Sequence, residues 1–171
     1  MKKLILISAL ILIVGTMSLS AWGIGAAWLL GVGGDEGVTA GNAMLSLKVD
    51  QLPIYWGLRF SGTSDSVSVG VIADWLMVRE TLADPLNIYV GPGLFAALSS
   101  TDDGTTFGLG ARVPVGLYIF PLDFLEVFLE VAPKIEIANI GANTDVTFPN
   151  FGLMGGIGVR FWFDQKSLRK K

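Results

Sequence analysis

The sequence predicts an all-β protein, an eight-stranded antiparallel up-and-down transmembrane β-barrel that follows an N-terminal signal peptide. Three observations lead to this prediction. The chain begins with a short basic and apolar stretch, and from Trp22 to Phe163 apolar residues recur with a period of two in eight separate runs. Of its 171 residues, 51% are hydrophobic and only 16% are charged, whereas soluble domains have about 25% charged residues.

The first residues have the order of a secretory signal peptide. Lys2 and Lys3 form a basic start, Leu4–Val14 is an apolar run without charge, and Gly15–Ala21 is small and polar. The apolar run is shorter than the roughly 20 residues that a membrane-spanning helix needs. We therefore expect that the protein is secreted through the general pathway and that the signal peptide is cleaved near Ala21, rather than kept as an anchor.

The eight runs alternate between apolar residues on one face and small or polar residues on the other, which is the pattern of a β-strand. The fifth run is interrupted by Pro92, which cannot donate to a strand ladder. Polar loops alternate with shorter turns between the runs, as in an up-and-down barrel. The predicted polar loops are Val32–Gly41, Ser61–Ser66, Ser99–Thr106 and Ala138–Pro149, and the predicted turns are Asp50–Pro53, Arg79–Pro85 and Phe120–Asp123. The chain is thus divided into a signal peptide (1–21), a barrel (22–163) and a basic C-terminal tail (164–171).

The distribution of charge over the two faces predicts which face is inside. If the charged face met water, the large apolar side chains of eight strands would have to fill one narrow barrel interior. The better interpretation is that the apolar face contacts lipid and that the charged face forms a polar network inside the barrel. A closed barrel also pairs every backbone group within the membrane. The predicted lumen charge network consists of Lys48, Arg59, Asp74, Arg112, Glu126, Glu130, Lys134, Glu136 and Arg160.

We expect the lumen charges to be paired, because an unpaired buried charge costs several kcal/mol. A tight turn near Pro121 would place Arg112 opposite Glu130. The small residues of the first run would leave space for Arg160 and Trp162 where the barrel closes. We interpret the network as a plug of salt bridges, and a gated ion path is the alternative.

Aromatic residues lie near the ends of the predicted strands, as an aromatic girdle at the two membrane interfaces requires. The residues assigned to this girdle are Trp22, Trp56, Trp75, Tyr89, Phe107, Phe120, Phe161 and Phe163.

The composition excludes most enzyme chemistry. The chain has no His and no Cys, the commonest general base, metal ligand and thiol nucleophile. Glu126 and Glu130 would lie roughly 13 Å apart on one strand face, too far for a glycosidase pair. Gly152–Gly158 and Gly91–Gly93 precede no helix, so they do not form phosphate loops, and Asp102–Gly104 has too few oxygens for Ca²⁺. We predict no enzymatic activity, no cofactor and no metal.

The signal peptide, the eight runs and a last run that closes on Gly158–Phe163 (GVRFWF) resemble the small OmpA-type and OmpX-type outer-membrane barrels. More narrowly, the chain is similar to a family of small outer-membrane barrels of spirochaetes, some of which are reported to bind host factors. The resemblance implies that the last run is the signal for the barrel-assembly machinery. Here that signal would act from eight residues inside the terminus, because the tail 164–171 follows it. The enzymes among such barrels use a His at the rim, which this chain lacks.

The expected function follows from the loops. With the N-terminus periplasmic, the polar loops face outward, carry no Lys or Arg, and form an acidic rim that disfavours nucleic acid and attracts a basic partner surface. The acidic residues of these extracellular loops are Asp35, Glu36, Asp65, Asp102, Asp103 and Asp145. We expect a monomeric outer-membrane barrel surrounded by lipid, with an envelope-structural role or a surface interaction with a host or envelope protein.

Two alternatives remain at this point. One is a narrow pore for small solutes, which needs an open lumen. The other is a soluble periplasmic barrel that carries an apolar ligand, in which the two faces would be reversed. In that barrel, Lys48, Arg59 and Arg112 would contact water, and Val69, Leu109 and Leu129 would line the cavity.

Overall fold

The computed structural model describes residues 22–33, 38–49, 52–62, 64–102, 104–141 and 149–163. The predicted signal peptide (1–21), the basic tail (164–171) and four of the predicted loop carboxylates (Asp35, Glu36, Asp103 and Asp145) lie outside the described residues. Within the described part of the chain, no helix is long and apolar enough to cross a membrane.

The described residues form eleven β-strand segments. They are β1 (Trp22–Gly33), β2 (Val38–Val49), β3 (Ile54–Gly62), β4 (Ser66–Trp75), β5 (Val78–Ala83), β6 (Leu86–Val90), β7 (Gly93–Thr101), β8 (Gly104–Arg112), β9 (Val115–Leu122), β10 (Leu125–Gly141) and β11 (Asn150–Phe163). Only two residues separate β4 from β5, β6 from β7, and β8 from β9. Each of these pairs is one long strand with a local break, so the barrel has eight strands.

The sheet closes on itself through its last strand. β11 pairs antiparallel with β1, where Trp22 lies opposite Phe163, and also with β10, where Leu125 lies opposite Phe161. The ring runs β1–β2–β3–β4–β7–β8–β10–β11, and β5, β6 and β9 extend its wall on the side of the short turns. This confirms the predicted fold class of a closed eight-stranded antiparallel barrel.

The strands are tilted because the register is staggered around the ring. Starting at Gly23 and stepping through directly paired residues, the path returns to β1 at Gly33, ten residues further along. The path is Gly23, Lys48, Tyr55, Asp74, Gly93, Arg112, Lys134, Gly152 and Gly33. Such a stagger in an eight-stranded barrel corresponds to a strand tilt of about 35–45°.

Prolines explain two of the three local breaks. Pro92 and Pro114 have no N–H to donate, so the ladder is interrupted where they stand. Backbone bonds still cross the breaks: Trp75 N donates to Pro92 O at 2.7 Å, and Gly91 N donates to Pro114 O at 3.3 Å. The wall therefore remains continuous.

Several predicted connections are shorter than expected. The predicted turn Arg79–Pro85 is mostly strand β5, and only Asp84 and Pro85 form the turn. β2 already starts at Val38, and β10 continues to Gly141. The physical reason is that backbone ladders extend beyond the apolar residues by which the runs were recognised, into polar residues.

The wall is apolar outside and polar inside. Val69, Leu109 and Leu129 expose 41%, 42% and 52% of their surface, whereas Lys48 and Arg112 each expose 2%. Arg59 also belongs to the inward-facing row of β3 and is only partly exposed. These orientations contradict the alternative of a soluble barrel with an apolar cavity, because its faces would have to be reversed.

Candidate functional site: the lumen of the barrel

The path that defines the stagger is also the row that holds much of the lumen charge. Lys48, Asp74, Arg112 and Lys134 all lie on it, and the other positions of the row are Tyr55 and glycines. Because the row climbs around the wall, these side chains enter the lumen from different strands and at different heights.

A central cluster of Asp74, Tyr89, Arg112 and Glu130 ties four strand segments together. Arg112 Nε lies 3.1 Å from Asp74 Oδ1, and Arg112 Nη2 forms a buried salt bridge with Glu130 Oε1. The Tyr89 hydroxyl donates to Glu130 Oε2 at 2.6 Å. These residues come from β4, β6, β8 and β10, and all four are buried inside the barrel.

A second cluster, which we call the seam cluster, consists of Ser46, Glu126, Arg160 and Trp162. Arg160 Nη1 forms a salt bridge with Glu126, and Arg160 Nη2 donates to Ser46 Oγ at 2.9 Å. Trp162 Nε1 donates to the other carboxylate oxygen of Glu126 at 2.7 Å. Ser46 is in β2 and Arg160 in β11, so Arg160 reaches across β1, the strand at which the barrel closes.

Glycines in β1 make this reach possible. A Cβ at Gly23 would lie 2.7 Å from Arg160 Cδ and 3.1 Å from Trp162 Cδ2, closer than real side chains approach. Gly25 pairs directly with Arg160 in the β1–β11 ladder. The small face of the first strand thus leaves the space for Arg160 and Trp162 that was expected from the sequence.

Aromatic rings surround the cations on the turn side. Arg160 Cζ lies 3.9 Å from the centre of the Tyr55 ring and 4.6 Å from that of Phe128. Lys48 Nζ faces three rings, with centroid distances of 5.1 Å to Trp162, 5.3 Å to Tyr55 and 5.8 Å to Tyr118. Ring faces attract cations, and more strongly when water is excluded. This part of the lumen is therefore filled by rings and ion pairs.

The loop-side half of the lumen is lined differently. Its inward positions carry mostly small or hydroxyl side chains, and they are partly exposed although they face inward. Examples are Ser61, Ser68, Ala97, Ser99, Thr106, Gly108 and Gly152. Ser99 Oγ donates to Ser68 Oγ at 3.0 Å. Side chains therefore fill this half less completely than the turn-side half.

Three residues of the predicted charge network lie in this loop-side half. Arg59, Lys134 and Glu136 are each partly exposed. The Arg59 side chain lies over Gly70, the Lys134 side chain over Gly152, and the Glu136 carboxylate over Gly108. Lys134 Nζ also lies 5.7 Å from the centre of the Phe95 ring. The structure thus separates these three residues from the buried members of the network.

Two predicted girdle residues, Tyr89 and Phe120, are wrong. Tyr89 is 1% exposed and lies inside the barrel, where it bonds Glu130. The reason is strand parity, because the odd-numbered residues of β6 and β7 face the lumen. Phe120 is likewise packed against the interior, with ring contacts to Tyr118 and Trp162.

The other predicted girdle residues lie on the outside of the wall. Trp22 stacks on Phe163 with 4.4 Å between ring centres. The exposed members are Trp56, Trp75, Phe107, Phe161 and Phe163. Their assignment to a membrane interface stays a prediction.

Of the predicted loop carboxylates, Asp65 and Asp102 are described, and both are exposed. Ser64 Oγ donates to Asp65 at 3.0 Å. Among the described residues, no three carboxylates are grouped so that they could hold a metal ion.

Sequence reasoning missed one lumen residue, Arg79. Arg79 Cζ lies 6.0 Å from the centre of the Tyr118 ring, inside the turn-side mouth. Arg79 was assigned to a turn, and the alternation of burial shifts by one residue at Met77 and Val78, which are both exposed. No periodicity signal crosses such a break. Tyr118, in contrast, shares the polar face of its run with Arg112 and Gly116 in the sequence, and the structure buries it.

Comparisons with known proteins show the fold. No family model matches the chain, and no curated protein matches it. The crystal structure of Neisserial surface protein A (NspA) is 15% identical and covers 84% of this chain and 96% of its own, with a TM-score of 0.54. The N-terminal β-barrel domain of Pseudomonas aeruginosa OprF is 13% identical and covers 82% and 97%, also with a TM-score of 0.54. The chain therefore has the fold of these small eight-stranded outer-membrane barrels, while the narrower similarity to spirochaete barrels stays a prediction.

Proposed function

We propose that this protein is a non-enzymatic integral outer-membrane barrel with a plugged lumen, whose role is envelope structure or a surface interaction through its loops. One observation carries the proposal, namely that the wall exposes large apolar side chains while ion pairs lie buried in its interior. Monomeric soluble proteins rarely expose continuous apolar surface of more than a few hundred Å². A lipid bilayer is the solvent in which this surface is stable.

The closure of the barrel also supports a lipid environment. Within lipid, every backbone N–H and C=O group must be bonded inside the protein, which a closed ring of strands achieves. The ladder from β1 to β11 leaves no gap in the ring. The outer membrane is proposed because barrels of this kind are built there and because NspA and the OprF domain share the fold.

The filled lumen favours a structural or interaction role over a pore. Arg160, Glu126 and Ala132 are 0% exposed, and Tyr89 is 1% exposed. A continuous water path would have to pass these residues and the salt bridge between Arg112 and Glu130. Interiors of eight-stranded barrels are in general just wide enough to be filled by side chains.

The loops are the proposed contact surface for a host or envelope protein. The described loop residues Asp65 and Asp102 are exposed carboxylates, and the other loop carboxylates of the sequence have the same sign. An acidic rim accelerates encounter with a basic surface and slows encounter with polyanions. On this basis we propose a basic protein surface as the partner, the barrel-assembly machinery as the contact during insertion, and a monomer in the membrane.

The first experiment tests the membrane barrel. The protein is recovered from the outer-membrane fraction in detergent and run on a gel with and without boiling. We expect a folded band whose mobility changes on boiling. Recovery in the soluble periplasm without this change would contradict the proposal.

Conductance tests the plug. Reconstituted in a planar bilayer, the protein is expected to show no discrete current steps. A variant with the rings removed, Tyr55→Ser with Tyr89→Ser, controls whether the assay detects an opened path. Regular steps from the unmodified protein would favour the narrow pore instead.

The loop role is tested on whole cells with a basic probe protein and an acidic one. We expect binding of the basic probe that falls at least tenfold when Asp65 and Asp102 are changed to Asn together with the other loop carboxylates. Changing the turn residues Asp84 and Asp123 to Asn is the matched control, and equal losses in both variants would argue against loop recognition.

A further inference from the structure

One strand segment of the wall has a ladder partner on one side only. β5 (Val78–Ala83) pairs with β6 and, among the strands that the structure describes, with no other. β3 does not reach it, because β3 begins at Ile54, opposite Trp75. At this boundary, Leu76 N still donates to Pro53 O at 2.7 Å. Beyond it, one edge of β5 is open along six residues, a length of about 20 Å.

An open edge presents backbone groups that have no ladder partner. In an antiparallel ladder, the N–H and C=O groups of alternate residues point away from the partner strand. Such a row is a template for a further strand. The groups cannot stay unpaired in lipid, and β5 ends in the exposed turn of Asp84 and Pro85. The edge therefore runs from the membrane boundary toward the water on the turn side, where another chain can reach it.

The outer face of β5 carries one charge between two apolar side chains. Arg79 lies over a ring of the lumen, so the alternate residues Val78, Glu80 and Leu82 face outward. Val78 and Leu82 are 46% and 56% exposed, and Glu80 is exposed as well. Among the outward-facing residues of the described strands, Glu80 is the only charged one. Its carboxylate forms no ion pair within the described part of the chain.

The inner face of β5 is already engaged with its own barrel. Arg79 Cζ lies 6.0 Å from the centre of the Tyr118 ring, and Thr81 Oγ1 donates to Asn87 Oδ1 at 2.7 Å. A strand that is added to the edge would therefore be selected by the outer row of β5, which consists of an acid flanked by apolar residues.

A second copy of the chain does not fit this edge. Copies in one membrane are inserted in the same direction, so a twofold axis between them lies along the membrane normal. Under that axis the two β5 strands run in the same direction, and each is tilted by about 35–45° in the opposite sense. Edges that cross at such an angle cannot form a ladder, so the partner is a different, extended chain.

We propose that the open edge of β5 binds an extended segment of another envelope protein by strand addition. The segment places a Lys or Arg opposite Glu80 and apolar residues beside Val78 and Leu82. In such contacts the backbone bonds provide the affinity and the alternate side chains the specificity, and opposite charges on facing residues favour the pairing. The surface lies at the other end of the barrel from the loops, so it rests on the proposed membrane barrel and not on a loop partner.

The probe is a fluorescent peptide of the sequence Thr-Val-Thr-Lys-Thr-Val-Thr, whose alternation fits the edge in either direction. Its binding to the full-length protein in detergent is followed by fluorescence anisotropy. Two further peptides carry N-methyl groups, one on the Thr residues and one on the residues between them. We expect one methylated peptide to bind about tenfold more weakly and the other to bind as the parent does, because only one row of N–H groups faces the edge.

Charge reversal tests the side-chain contact. Glu80→Lys should weaken binding of the Lys peptide about tenfold, and it should strengthen binding of a peptide in which Glu replaces Lys. Glu80 is exposed, so the variant should fold, which the gel shift verifies. Asp65→Lys is the matched control, because it reverses an exposed carboxylate at the loop end, and it should leave binding of both peptides unchanged.

Four results would overturn the proposal. The first is that the Lys peptide does not bind the full-length protein, and the second is that both methylated peptides bind equally well. The third is that Glu80→Lys changes neither affinity, because Glu80 would then only keep the edge from aggregating. The fourth is that the peptide binds only after residues 164–171 are removed, because the chain's own basic tail would then cover the edge. None of these results would alter the gel shift that tests the membrane barrel.

Discussion

The two halves of the lumen are built from the same strands and differ in side-chain size. On the turn side, Tyr55, Tyr118, Phe128 and Trp162 face inward and bury Arg160 completely. On the loop side, the same strands present Ser, Thr, Gly and Ala, and the charged residues stay partly exposed. Strand alternation therefore decides which residues face inward. The volume of their side chains decides how completely each half of the lumen is filled.

Because of this difference, loss of a charged residue should change the free energy of unfolding by different amounts in the two halves. A buried ion pair that loses one partner leaves an uncompensated charge, which costs about 3–5 kcal/mol. An exposed pair contributes about 0–1 kcal/mol. Substitutions in the two halves should therefore separate into two groups.

The largest effect is expected for Arg160→Met. The change leaves Glu126 buried beside Trp162 without its cation and removes both donors to Ser46. The free energy of unfolding should fall by about 3–5 kcal/mol. Urea unfolding of the refolded protein in detergent, followed by the gel shift, measures it.

A double variant sharpens this result. Adding Glu126→Leu to Arg160→Met removes the orphaned carboxylate, and part of the stability should return, because a buried pair can be replaced by apolar side chains at little cost. If the double variant is less stable than Arg160→Met alone, the loss came from packing and not from charge.

An intermediate effect is expected for Gly116→Ala. A Cβ at Gly116 would collide with the ring of Tyr89, and overpacking of this kind costs about 1–3 kcal/mol. Gly155→Ala is the matched control on the outer face, where the nearest atom, Glu130 O, is 3.9 Å away. The free energy of unfolding of this control variant should fall by no more than about 0.5 kcal/mol. Equal urea midpoints for the two variants would mean that the central cluster has room to move.

The smallest effect is expected for Glu136→Gln in the loop-side half. Glu136 is partly exposed, so water screens its charge, and the free energy of unfolding should change by less than about 1 kcal/mol. The same urea titration checks it. A loss as large as that of Arg160→Met would contradict the distinction between the halves.

Much of the barrel could be predicted from the chain, because period-two alternation is a local property. The apolar runs identified eight strands, and the polar face identified Arg112 and Glu130 as inward residues that a tight turn brings together. The prediction failed where the pattern is interrupted. Arg79 was assigned to a turn because the shift of parity at Met77 has no signature in composition.

The error at Tyr89 has a related cause. An aromatic residue near a strand end suits both a girdle and the interior, and only its position in the register of β6 and β9, opposite Gly116, decides between them. The Gly116 position provides the space that the ring fills.

The sequence by itself determined the fold class, the inside and outside of the wall, and the set of charged residues available to the lumen. These follow from hydrophobic periodicity and from the poor capacity of a narrow barrel for large apolar side chains. Only the tertiary structure decided which charges meet. Ser46 of β2 and Arg160 of β11 both pair with Gly25 of β1, and Asp74 of β4 and Arg112 of β8 both pair with Gly93 of β7, so each contact forms across a glycine. Each contact depends on the register of three strands that are distant in the sequence, so no single stretch of the chain contains it.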